Sequence, residues 1–158
     1  MDINMIWDII PKEEAILCIR IIVAFLLGGV IGLERLRAKG DPAILRMHIF
    51  ICVGAALVSS VGAFISMGFD SDPVRIAAQV VGSIGFLGMG VIFRHGQNIS
   101  GLTTASSLWV VGCIGVAVGL GAYLLSVVAA LLILFVLLTV KDKQRTADID
   151  ENNKKNAG

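Results

Sequence analysis

Apolar residues in this chain come in long blocks, separated by short seams that hold most of the charge. The first block is Ala15–Leu33, interrupted only by Arg20. The second, Met47–Met67, has no charged residue, and the third, Val74–Phe93, has only Arg75 near its start. The last, Leu102–Val140, runs for 39 residues without a charge. About 20 helical residues cross a bilayer core of about 30 Å. The last block is therefore two spans, with Gly119-Leu120-Gly121 as the tight turn between them. Four spans with one very long helix would leave that pair of glycines without a purpose. The expected fold is all-α, a multi-pass transmembrane helical bundle with spans near 15–33, 47–67, 74–93, 102–118 and 122–140.

The seams give the bundle an orientation. Cytoplasmic seams collect Lys and Arg. With five spans and the N-terminus outside, the inner side receives Arg35, Arg37, Lys39, Arg46, Arg94, Lys141, Lys143, Arg145, Lys154 and Lys155. The outer side receives only Lys12 and Arg75. Four spans would put the basic tail outside. The expectation is N-out and C-in. Residues 1–14 are acidic apart from Lys12, which is the wrong charge for a signal peptide. Ile3–Ile10, with Trp7, suits a short helix at the membrane surface, where Trp is enriched. The tail 141–158 mixes both charge signs with Asn and has no apolar face, which is the composition of a disordered segment.

Composition agrees with this reading. Apolar residues make up 56% and charged residues 16%, with a mean hydropathy of +0.88. That excludes a soluble globular enzyme, a disordered chain and a nucleic-acid binder, whose balances lie elsewhere. Cys18, Cys52 and Cys113 each sit in an apolar run and form no CxxC pair, so neither a disulfide framework nor a zinc site is expected. They read as small packing residues. No metal site and no cofactor is expected.

Glycine is concentrated inside the spans. Gly28 and Gly32 make a GxxxG spacing, the third span holds Gly82, Gly85 and Gly88, and the fourth holds Gly112 and Gly115. In lipid such residues let backbones approach closely. They are the expected helix-packing positions, and they suit a homodimer face as well. The dense string Gly85-Phe86-Leu87-Gly88-Met89-Gly90 also suits a kinked third helix. It is not a phosphate loop, because it has no adjoining strand and no Lys.

Polar residues gather at the span ends. The first span ends in Glu34-Arg35, the second is entered through Arg46 and His48, the third exits at Arg94, and the fourth begins with Thr103-Thr104. These form a candidate inner-face polar cluster if the helices are neighbours, with Glu34 as the carboxylate for the three arginines. Each is open to a plainer use, snorkelling for Arg and helix capping for Thr103 or Thr104. At the other end, Asp72-Pro73 has the form of a helix start. Arg20, Asp72, Arg75 and Gln79 form a candidate outer-face cluster, with Arg20 either snorkelling or paired with Asp72.

Several of these stretches occur together in one family. They are Arg20 with 28–35 (GGVIGLER), Leu45-Arg46-Met47-His48 with Gly54-Ala55-Ala56-Leu57, and 72–81 (DPVRIAAQVV). The others are 85–94 (GFLGMGVIFR), then Gly101-Leu102-Thr103-Thr104-Ala105 and Leu108-Trp109. On these motifs the chain resembles the MgtC/SapB family of bacterial inner-membrane proteins over about residues 20–140. The length of the chain resembles the short form, without the C-terminal soluble domain. The resemblance implies a bacterial plasma (inner) membrane protein with a link to growth at low magnesium and to stress survival or virulence. It also implies action by binding membrane proteins, the rotary ATP synthase among them.

Three functions compete on this pattern. The first is a regulatory protein that works by helix contacts with itself, as a homo-oligomer, or with a membrane partner, surrounded by lipid. The second is a small channel or permease for magnesium or protons, formed by an oligomer. Magnesium prefers carboxylates, and none lies at mid-span, where only Gln79, Ser83, Ser59 and Ser60 offer oxygen. The third is an intramembrane enzyme, for which no Ser–His or paired-Asp arrangement is evident from position. The expectation is the first, with the second as its alternative and no enzyme.

Overall fold

The computed structural model describes residues 3–66, 72–95 and 98–139, with the backbone alone for 3–13, 73–74, 93–95 and 98–99. Among these the chain forms five helices, α1 (Ile3–Lys39), α2 (Pro42–Ser66), α3 (Pro73–Met89), α4 (Leu102–Gly119) and α5 (Tyr123–Thr139). A small antiparallel pair, β1 (Phe93–His95) and β2 (Asn98–Ser100), lies between α3 and α4. Residues 14–39, 42–66 and 102–119 are each long and apolar enough to cross a membrane. The helices α3 and α5 have 17 residues each, or about 25 Å at the usual helical rise. The chain is thus an all-α, multi-pass membrane bundle. The tail 141–158 lies outside the described residues, as do Met1 and Asp2.

Local chemistry explains where the helices begin and end. α1 runs without interruption from Ile3 into the first span, so the segment expected at the membrane surface is part of the same helix. Its end is set by Gly40, whose φ of 77° lets its N–H reach the Leu36 carbonyl at 2.7 Å. Asp41 then caps α2 by accepting the Ala43 N–H at 2.8 Å, with Pro42 as the first helical residue. Asp72-Pro73 opens α3 as expected, with the Asp72 carbonyl taking the Arg75 N–H. α3 stops at Met89, four residues before the expected end of that span. The last α3 carbonyls, of Leu87, Gly88 and Met89, accept the N–H groups of Gly90, Val91 and Ile92 in tight i to i+3 turns, and β1 follows.

The turn between α4 and α5 falls at Leu120-Gly121, as the glycine spacing implied. Gly121 takes φ 88°, and the Ala122 and Gly121 N–H groups return to the Ala117 and Val118 carbonyls. This is the paired closure that glycine allows at a helix end.

Packing is organised on α2 and α4. α1 packs on α2, α4 and α5, whereas α3 packs mainly on α2 and α4. The core is small and close: Ala24, Ile31, Cys52, Ala56, Val111, Ile114 and Val118 are all buried. Gly28 and Gly32 meet α2 directly. A Cβ on Gly28 would lie 2.7 Å from the Cys52 Cβ, and one on Gly32 would lie 3.1 Å from the His48 Cβ. Gly112 abuts Ile84 of α3, and Gly115 abuts the Cys52 carbonyl of α2. These glycines are the contact surface of the bundle, in place of a hydrophobic drive that lipid cannot supply. Gly88 is nearer to open, with Ala105 at 3.6 Å. A Cβ on Gly82 or Gly85 would meet nothing within 4 Å, and both residues are exposed.

Candidate functional site

The end of the bundle where α1 stops and α2 and α4 begin holds a buried polar group. Arg35 (3% exposed), His48, Thr104 and Ser107 are all buried there. His48 is placed by the close approach of Gly32, which leaves room for the ring between α1 and α4. Its Nδ1 lies 2.7 Å from the Ile44 carbonyl, and its Nε2 lies 2.9 Å from Ser107 Oγ. A carbonyl only accepts, so Nδ1 carries a proton. In the neutral ring Nε2 then accepts from the Ser107 hydroxyl, which also lies 2.8 Å from the Thr104 carbonyl of its own helix. One hydroxyl proton serves one of these two acceptors at a time.

The same end holds Glu34, with one carboxylate oxygen 3.9 Å from the Arg35 guanidinium. Both make further polar contacts. Arg35 is within electrostatic reach of the His48 ring. The cluster read from the sequence is therefore assembled in part. Arg35, His48 and Thr104 converge in the interior, with Glu34 at their margin. Arg46 and Thr103 are exposed on their helices, and the Arg94 side chain lies outside the described residues. Neither threonine caps α4. That place is taken by Gly101 at φ 88°, whose carbonyl accepts the Ala105 N–H. A side chain at Gly101 would run into the Val91 carbonyl. Ser107 joins the cluster without belonging to the set expected from the sequence. Its signal was the spacing of one helical turn from Thr104, which puts both on the face of α4 that meets α2.

At the other end the four expected residues do not form one group. Arg20 donates to the Gly119 carbonyl at 2.7 Å, and Ser60 Oγ donates to the same oxygen at 3.2 Å. Gly119 O is the carbonyl that the glycine closure of α4 leaves over, so Arg20 completes the helix end and places its charge at the negative pole of the helix dipole. Arg75 and Gln79 lie on α3 and Asp72 just before it, away from this contact, and all three are exposed. Gln79 makes no hydrogen bond among the described residues.

A shallow groove of about 320 Å³ runs between α3 and α4, lined by Gly85, Gly88, Met89, Ala105, Ser106 and Trp109 with Ile92 and Val110. Among the described residues no group of three or more His, Cys, Asp or Glu side chains could hold a metal ion.

A closely packed bundle of long apolar helices is the architecture of an integral membrane protein. The model of the MgtC family matches residues 21–146, and the chain belongs to that family. "Putative magnesium transporter YhiD" of Escherichia coli (strain K12) is 45% identical over 125 residues, covering 75% of this chain and 58% of that protein. "Protein MgtC" of Brucella abortus (strain 2308) is 41% identical over 132 residues, covering 84% of this chain and 52% of that protein. "Protein MgtC" of Salmonella typhimurium (strain 14028s / SGSC 2262) is 44% identical over 119 residues, covering 73% of this chain and 48% of that protein. The chain thus spans about half the length of these curated relatives. No solved structure matches it.

Proposed function

We propose that this chain is a regulatory protein of the bacterial inner membrane, with its N-terminus outside, which acts through helix contacts with itself or with another membrane protein. The observation that carries this reading is the outward face of α3. There a Cβ on Gly82 or Gly85 would meet nothing within 4 Å, and Gln79 is exposed, with no hydrogen bond among the described residues. Bare glycines and an amide offer lipid little, but they suit a second helix. The buried Arg35–His48–Ser107 group serves in this reading to hold α1, α2 and α4 in register. His48 and Ser107 pair as the base and nucleophile of a hydrolase would, but both are buried and the ring is engaged at both nitrogens. A nucleophile needs an approach for its substrate, so an enzyme is not proposed.

The second reading is a permease, favoured by the name of the Escherichia coli relative. A magnesium path would need oxygen ligands, mostly carboxylates with retained waters. The described part of the bundle supplies no such cluster. Proteoliposomes holding only this protein and a trapped magnesium-sensitive or pH-sensitive dye separate the two readings. The expected result is no ion entry above that of empty vesicles. Entry that scales with protein content would overturn the regulatory reading in favour of the permease.

A further inference from the structure

Arg20 is a charge set below the edge of the hydrocarbon. Along α1 it stands about 22 Å from Arg35 at the other seam, against a core of about 30 Å. The turn it meets is sunk to the same depth. α4 ends at Gly119, level with Ser60, whereas α2 continues to Ser66, about 9 Å further out. This corner is rich in hydrogen-bond donors and short of acceptors. The Gly119 carbonyl already serves both Arg20 Nη1 and Ser60 Oγ. Arg20 Nε and Ser59 Oγ are buried there with no hydrogen bond. Ser59 is beside Gly119, where an added Cβ would lie 2.8 Å from the Ser59 Cβ. Arg20 Nη2 makes no hydrogen bond among the described residues either, and it lies 3.3 Å from a Cβ built on Gly121. Among the described residues no carboxylate pairs with Arg20.

We propose that Arg20 Nη2 and the bare backbone at Gly121 bind a phosphate group, carried by a phospholipid of the nearer leaflet that dips at the short α4–α5 corner. The site does not depend on the helix-contact reading above. Its charge selects an anion. The poles of α4 and α5 meet at this turn with opposite signs and offset each other. The full charge of the guanidinium is therefore left without a counter-ion. A charge at such a depth persists through a partner, through snorkelling or through local thinning of the bilayer, and a lipid phosphate brought down to it supplies all three. The surplus of donors selects phosphate, whose oxygens accept and whose hydrogen bonds to Arg are charge-assisted. The surroundings select a lipid as carrier. Ile16 and Ile19 of α1 and Leu124 and Leu125 of α5 lie close to the corner along each helix and are exposed. Acyl chains thus have a surface on both sides of the descending headgroup. Gly121 keeps the approach clear, because a side chain there would stand against Nη2.

Native mass spectrometry of the full chain, released from a neutral maltoside detergent, tests the site. The probes are phosphatidylglycerol, a diacylglycerol with the same chains, and inorganic phosphate. Phosphatidylglycerol is expected to bind the unaltered chain at concentrations about 10- to 100-fold below those the diacylglycerol needs, which is the contribution of one charge-assisted hydrogen bond. Equal binding of the two lipids, with none of inorganic phosphate, overturns the site without recourse to any variant. Binding of inorganic phosphate in place of the lipid upholds the phosphate site and overturns its lipid carrier. Two variants then locate the contact. Asn and Asp are the side chains that best tolerate the left-handed φ of Gly121. Gly121→Asp gives Arg20 a carboxylate of its own and is expected to lower phosphatidylglycerol binding to the level of the diacylglycerol. Gly121→Asn, of the same size but uncharged, is expected to keep most of the preference. An undiminished preference in Gly121→Asp puts the lipid elsewhere and overturns the site. Equal loss in both variants means that space and not charge decides, and overturns it as well.

Discussion

His48 is tied at both ring nitrogens, to a carbonyl of its own helix and to a hydroxyl of α4. Ser107 is thus a tie between α2 and α4 as well as a buried hydroxyl. Ser107→Ala leaves Nε2 buried without a partner, and a loss of about 1–2 kcal/mol is expected. Thermal melting of the detergent-solubilised protein measures it. Ser106→Ala, one residue away, removes an exposed hydroxyl that bonds only to Leu102 of its own helix. It is expected to change stability by no more than about 0.5 kcal/mol. Equal losses from the two would mean that the tie does not hold α2 to α4. Glu34, Arg35, His48 and Thr104 were legible as polar residues at one end of the bundle, because an ionisable or polar group at a span end stands out against an apolar background. Ser107 and the exposure of Arg46 and Thr103 were not. They depend on how α2 and α4 are rotated toward each other, which a sequence without strong helical amphipathy does not encode.

Neighbouring glycines on one helix have opposite duties. Gly28 lies against Cys52 and His48 of α2, whereas Gly29 has nothing within 4 Å. Gly28→Ala is expected to push α1 from α2 and cost about 1–3 kcal/mol, as overpacking does. Gly29→Ala is expected to be neutral, or stabilising by up to about 1 kcal/mol through better helix propensity. The fraction of each variant that stays monodisperse after heating checks the pair. At this scale the sequence was readable wherever spacing had a single structural meaning: Gly28 and Gly32 against the next helix, Asp72-Pro73 at a helix start, and Gly119–Gly121 at a turn. It was unreadable at Gly82 and Gly85, since small size says that something can approach but not from which side. The three-residue strands β1 and β2 are too short to carry an alternation, so they were hidden in the seam after the third span.

The five helices, their order and the all-α bundle were plain from hydropathy, because a lipid solvent leaves a helix as the default for each apolar run. Orientation belongs to the whole molecule and is open to a direct check. The connection at Asp41 and the turn at Leu120 lie at opposite ends of the bundle and both are exposed. With Asp41→Cys and Leu120→Cys placed singly in a chain whose Cys18, Cys52 and Cys113 are replaced by Ser or Ala, an impermeant maleimide is expected to label Leu120→Cys in intact cells and Asp41→Cys only after permeabilisation. The reverse pattern would invert the N-out arrangement. The contact of Arg20 with Gly119 joins residues 99 positions apart. During synthesis the first helix therefore enters the bilayer carrying a cation whose acceptor has not yet been translated. Until the ribosome has delivered α4, that charge must stay hydrated at the lipid margin, so a nascent chain arrested before Gly119 would hold an unfinished bundle and be a ready substrate for membrane quality-control proteases.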